Sequence, residues 1–203
     1  GAIQRAVDLA DAVEVDARRC ASGEVVVIHD ETVDRVTDGT GQVAEHSRDE
    51  LAALSVLGSG DGVPTLDEVV GALPSGTGLV LELKETGIAE DSLAAAAGVD
   101  DLVVSSFSPD ALAECRAADP DVPLALNVSE TDGIAVALDL DCANVHPRHS
   151  LCDREYVARA HDAGLAVQAW TVEERETARA LRNTGVDGVI ADRSDVLDGG
   201  HER

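Results

Sequence analysis

The stretch EVDARRCASGEVVVIHDETVDR, residues 14–35, decides how this chain folds. It holds most of one apolar run, VEVDA at 13–17, and all of another, VVVI at 25–28, with RRCASGE between them. A parallel crossover takes a dozen or more residues, and this connection is too short for one. The two runs are therefore expected to form an antiparallel hairpin, with residues 18–30 as an excursion turning near Ser22 and Gly23. Pairing centred there sets Asp16 opposite Ile28 and Glu14 opposite Asp30. His29 then joins two or three carboxylates at one end of the hairpin. That is a place suited to a metal ion and a proton-transfer group.

Beyond the hairpin, ETVDRVTDGTGQVAEHS is polar and carries glycine, and RDELAAL predicts a short helix. TLDEVVGAL, from Thr65, predicts another, with Thr65 as its N-cap and Glu68 completing a capping box. A rhythm then begins. Apolar strands are predicted at LVLELK (79–84), LVVSSF (102–107), PLALNV (123–128), CANVHP (142–147), LAVQAWTV (165–172) and DGVIADR (187–193). Amphipathic helices are predicted at 108–119, with Ser108 as cap and Pro109 at the first position, at 132–140, at 153–164 ending in Gly164, and at 173–185 ending in Gly185. SDVL, from Ser194, starts a last one.

Near-continuous apolar strands alternating with helices predict an α/β fold with a parallel sheet covered by helices. With 13–17 counted as a barrel strand and 25–29 as the returning arm of the excursion, seven barrel strands result. A (β/α)8 TIM barrel needs eight. The chain opens inside a helical pattern, with Ile3, Ala6, Val7 and Ala10 on one face, so residues 1–203 are expected to be a single barrel domain lacking its first strand. An open doubly wound sheet is the alternative, but no Gly-rich dinucleotide fingerprint follows any strand.

In such barrels chemistry sits at the C-terminal ends of the strands. The polar residues collect there: Glu14 and Asp16, Glu82 and Lys84, Ser105 and Ser106, Asn127, His146, Trp170 and Thr171, and Asp192. Residues two apart on a strand face the same way, so Glu14 points with Asp16 and Glu82 with Lys84. A carboxylate pointing into a barrel is costly unless it is paired or bound to a metal. Three of them most simply need a hard divalent ion. Lys84 beside that ion would draw an anionic substrate oxygen. Each feature has a plainer reading alone: EVD and ELK as surface alternation, His29 as a strand cap, His146 as a turn residue before Pro147, Trp170 as core. Their coincidence at one barrel mouth favours a site, with His29 as the proton-transfer group, Glu14, Asp16 and Glu82 on the metal, Lys84 toward substrate, and Trp170 and His146 at the same mouth.

Composition narrows the class. The chain carries a formal charge of −25, dispersed along its length, which argues against nucleic-acid binding. Lys84 is the only lysine. So acidic a surface with so little lysine predicts adaptation to high salt, where self-repulsion is screened. Thermal stability is expected to rise with KCl; full folding in dilute buffer would overturn that reading. No apolar run approaches the ~18 residues of a membrane span, so no stable membrane insertion is expected. Cys20, Cys115, Cys142 and Cys152 lack metal-finger spacing and read as free thiols of a reducing, cytoplasmic compartment.

The ordered set EVDA, HDETVDRVTDGTG, PTLDEV, LELK, VVSSF, VHPRHS, AWTV and GVDGVIADR resembles the glycerophosphodiester phosphodiesterase family, from the first helix to the last strand. The resemblance implies a (β/α)8 barrel that hydrolyses small-molecule glycerophosphodiesters to an alcohol and sn-glycerol 3-phosphate with Mg²⁺ or Ca²⁺. By position it implies Glu14, Asp16 and Glu82 as metal ligands, and His29 as one of two acid/base histidines. Lys84 becomes the phosphate-contacting lysine and Trp170 an aromatic at the substrate pocket. The family's opening strand ends in His-Arg-Gly, followed by Pro-Glu-Asn-Thr, and neither is present in these residues. The second histidine belongs to that strand, so the 203 residues alone are expected to be poor catalysts. The rival readings are a phospholipase-type barrel acting on lipid phosphodiesters and a non-catalytic barrel that binds metal or phosphate. The first needs an apolar or basic rim that an acidic, aromatic-poor surface does not supply.

Overall fold

The computed structural model of this chain describes residues 10–196. The opening helix predicted around Ile3 to Ala10 falls almost wholly outside them.

The hairpin forms as its connection length required. Strand β1, Ala12–Arg19, pairs antiparallel with β2, Val25–Val27, in the register Ala17 to Val27 and Arg19 to Val25. The Ile28 amide donates to the Asp16 carbonyl at 3.0 Å, which extends the same register by one step. Gly23 closes the turn at φ +105°, a conformation that strains any side chain. One expectation needs adjusting: Asp16 does not end its strand. β1 runs on to Arg19, because the excursion pairs with its last residues rather than starting after them.

The remaining strands are β3 Gly78–Leu83, β4 Leu102–Ser106, β5 Leu124–Val128, β6 Asn144–Pro147, β7 Ala166–Ala169 and β8 Gly188–Val189. The sheet order is β2-β1-β3-β4-β5-β6-β7-β8, and from β1 onward each strand is parallel to the next. Seven are the predicted barrel strands; the eighth member of the sheet is the hairpin arm. The sheet curls, and leucine, valine and alanine from its strands and helices form one aliphatic core.

Helices cover it: α1 Arg48–Ala53, α2 Leu66–Ala72, α3 Ala89–Ala95, α4 Pro109–Ala118, α5 Ile134–Asp139, α6 Arg154–Asp162 and α7 Arg175–Thr184. The predicted caps form. Thr65 and Glu68 make a reciprocal capping box on α2, Ser108 accepts from the Ala111 amide, and Gly185 ends α7 in the left-handed region. Helix α3 had no counterpart in the sequence reading, which passed from LELK directly to LVVSSF. Its alanines give little apolar–polar contrast, and no side chain caps its N-terminus. At the other end only a single 3-10 turn, Ser194–Val196, is described of the helix predicted at SDVL. Among the described residues no helix is long and apolar enough to cross a membrane, and all four cysteines are free and buried.

A second, smaller core lies under the excursion. Cys20, Val26, Ile28, Val33, Val43, Leu51 and Val63 pack together there, apart from the barrel core. Its loops are tied by their own polar groups: the Gly41 amide donates to Asp34 and the Ser55 amide to Asp38. Val27 is held to Pro64 by a 2.9 Å amide–carbonyl bond. Alternation along the arm puts Val26 and Ile28 into this core, while the His29 side chain stands outside it, 63% exposed.

Candidate active site

Parallel register brings the acidic residues together. Asp16 on β1 lies level with Glu82 on β3, and Glu82 level with Ser105 on β4. Glu14 sits one inward-facing step below Asp16. Carboxylate oxygens of Glu14, Asp16 and Glu82 all lie within 4.8 Å of one another. The Lys84 ammonium donates to Asp16 at 2.8 Å and to Glu82 at 2.5 Å. Burial pulls that ammonium down, but its hydrogen bonds to Asp16 and Glu82 and their charges carry it above its ordinary value.

One cation does not neutralise three carboxylates. Burial, then the charges of Asp16 and Glu82, pushes the Glu14 carboxyl up to about 8; Lys84 opposes this and Asp192 adds to it. Burial also raises Glu82, against the hydrogen bond from Lys84. A cluster that must otherwise hold a proton near neutral pH, built only of carboxylate oxygens, is a fit for a hard divalent cation.

His29 reaches the same place from the hairpin arm. Its Nδ1 lies 2.7 Å from Asp30 Oδ1, and Arg35 grips both oxygens of Asp30, at 2.5 and 2.9 Å. Hydrogen bonds from Arg35 and then from His29 hold the Asp30 carboxyl well below the usual carboxylate range. His29 Nε2, on the other edge of the ring, takes no part in this clasp.

The three carboxylates, Lys84, His29 and Arg35 line a cavity of about 540 Å³ with Ser105, Phe107, Asn127, His146, Trp170 and Asp192. All seven predicted site residues border it: Glu14, Asp16, His29, Glu82, Lys84, His146 and Trp170. Ser106 does not; its hydroxyl donates to the Leu83 carbonyl and accepts from the Ser108 amide. Trp170 is fixed by an indole N–H bond of 2.7 Å to the His146 carbonyl, and Phe107 packs edge-on against it at 5.3 Å. Among the described residues no arginine or lysine borders a smaller hollow of about 330 Å³ lined by His149, Glu174 and Thr177 among others.

Among the bordering residues that the sequence leaves without a role are Arg35, Phe107 and Asp192. Arg35 stands at the end of the opening stretch, but nothing local says that it folds back on Asp30. Phe107 is the only phenylalanine in the chain and is 46% exposed; an unbranched aromatic spared from so aliphatic a core was the available signal. Asp192 was placed at its strand end without a role, and it lies close enough to bias both Glu14 and Arg35.

A curled half-barrel α/β sheet whose strand ends gather three carboxylates and a lysine beside a carboxylate-held histidine belongs with the barrel hydrolases of phosphoric diesters. Comparison with known proteins agrees. The Glycerophosphoryl diester phosphodiesterase family matches residues 1–196. A glycerophosphodiester phosphodiesterase of Caldanaerobacter subterraneus is 30% identical over 97% of this chain and 88% of its own length. A phosphodiesterase of Oleispira antarctica, solved in complex with the product sn-glycerol-3-phosphate, superposes with a TM-score of 0.82 at 30% identity, covering 93% of this chain and 85% of that one. A glycerophosphodiester phosphodiesterase of Thermotoga maritima shares the fold, with a TM-score of 0.83 at 23% identity over 96% of this chain and 88% of that one. The chain belongs to the glycerophosphoryl diester phosphodiesterase family, an enzyme family of phosphoric diester hydrolases.

Proposed function

We propose that this protein hydrolyses glycerophosphodiesters to an alcohol and sn-glycerol 3-phosphate, with Mg²⁺ or Ca²⁺ held by Glu14, Asp16 and Glu82. The observation that carries this reading is the meeting of that carboxylate cluster, Lys84 and the Asp30-held His29 on one cavity.

When bound, the ion supplies charge to steady the phosphate and lowers the pKa of a coordinated hydroxyl or water. The protein's own groups do the rest. Lys84, oriented by Asp16 and Glu82, presents an ammonium to a non-bridging phosphate oxygen. Asp30, kept ionised by Arg35, accepts from His29 Nδ1–H and fixes the tautomer whose Nε2 faces outward. That nitrogen gives or takes the proton of an ester or attacking oxygen. Trp170 forms an apolar wall against which the carbon chain of the diester rests.

The test is direct. The full-length protein with Mg²⁺ or Ca²⁺ is expected to release sn-glycerol 3-phosphate from glycerophosphodiesters, to stop on addition of a chelator, and to resume when the ion is returned. Release that continues unchanged in chelator would remove the ion from this reading. No release from any glycerophosphodiester would overturn the activity.

A further inference from the structure

Further along the sheet, β5 and β6 add a different kind of wall to the same cavity. Asn127 on β5 is level with His146 on β6. The His146 side chain is fully buried, Asn127 is 6% exposed, and both border the cavity. Among the described residues neither ring nitrogen of His146 has a hydrogen-bond partner, nor has Asn127 Oδ1. Buried polar atoms are normally paired, so three unpaired ones in adjacent side chains that border the cavity call for polar groups supplied from it. Burial pushes the His146 imidazole down to about 4, so the ring is neutral at working pH and offers one donor and one acceptor. Asn127 Oδ1 adds an acceptor. Above them stand Phe107 and Trp170, edge to face, with Phe107 partly open to solvent.

Paired donors and acceptors below an aromatic corner are the chemistry that holds a polyol: hydroxyls meet the polar side chains and C–H faces meet the rings. A quaternary ammonium brings no donor and would leave the acceptors unpaired. We infer that the Asn127–His146 wall, with Phe107 and Trp170, selects diesters whose second alcohol is a polyol such as glycerol or inositol over those carrying choline. The inference rests on the proposed hydrolysis. It assigns the arm of the diester that does not lie on the carboxylates.

The experiment compares glycerophosphoglycerol with glycerophosphocholine, by kcat/KM and by calorimetric binding, on the ion-loaded full-length protein. A preference of at least about ten-fold for the polyol diester is expected, the scale of one or two buried hydrogen bonds. Asn127→Leu and His146→Leu should each bring the ratio toward one. His146→Gln, which keeps a donor and an acceptor, should retain much of it. Should His146→Leu fail to fold, Asn127→Leu reads the same ratio. Equal handling of the two diesters by the parent, or a ratio that neither leucine variant changes, would overturn the inference. Loss of all hydrolysis with polyol-selective binding intact would overturn the proposed activity and leave this wall as assigned.

Discussion

His29→Ala in the full-length protein is expected to lower turnover about 100-fold or more, the usual scale for one general acid or base, while divalent-ion binding survives. The expectation follows from how His29 is held. Its ring is anchored at Nδ1 by Asp30, 2.7 Å away, and it is not among the three carboxylates whose oxygens converge within 4.8 Å. The measurement is kcat together with calorimetric ion affinity. Lost affinity with turnover restored by excess Mg²⁺ or Ca²⁺ would mean that His29 holds the ion and moves no proton.

The second large effect concerns the ion and pH. With Mg²⁺ or Ca²⁺ at 100 times its Kd, stabilisation is about 2.7 kcal/mol, which for a chain of this size raises Tm by roughly 5–10 °C. Glu82→Gln should remove most of that rise and weaken ion binding. The pH dependence has a definite sign. Without an ion the Glu14 carboxyl titrates at about 8 in the folded chain, against 4.5 ordinarily. Between those values the folded state holds a proton that the unfolded state has released. Its contribution to stability therefore declines as pH rises from about 4.5 to 8. An incoming cation displaces that proton, so the ion-induced rise in Tm should grow across the same window. Glu14→Gln should flatten the ion-free slope. An ion-induced shift that is the same at pH 5 and pH 8, or that Glu82→Gln leaves intact, would remove these carboxylates from the ion site.

What could be read before the structure divides along a physical line. The hairpin and its register were readable because a short connection and a period of two act over some fifteen residues. Glu14 with Asp16, and Glu82 with Lys84, were readable as pairs because residues two apart on a strand must share a face. That the two pairs meet was an argument from barrel topology alone. The level of Asp16 with Glu82 depends on how β1 and β3 slide against each other across more than sixty residues, and no local pattern encodes it. For the same reason the two hydrogen bonds of Lys84 were not readable, nor the clasp of Arg35 on Asp30. His146 was seen as a residue at a strand end. Its complete burial, with both nitrogens unpaired, follows from the close packing of β5, β6 and β7 around it, which only coordinates display.

The solitary lysine has a practical side. An amine-directed reagent applied to the described part of this protein meets a single side-chain amine, and that amine lies between Asp16 and Glu82 rather than on the surface. Acylation is ordinarily a diffuse tag spread over many exposed lysines. Here it becomes a footprint of the carboxylate cluster, since the ammonium must leave both Asp16 and Glu82 and shed its proton before it can be modified. The same scarcity turns each added mass on a side-chain amine into a reporter of one address, so the occupancy of the carboxylate cluster can be followed by labelling without a substrate in hand.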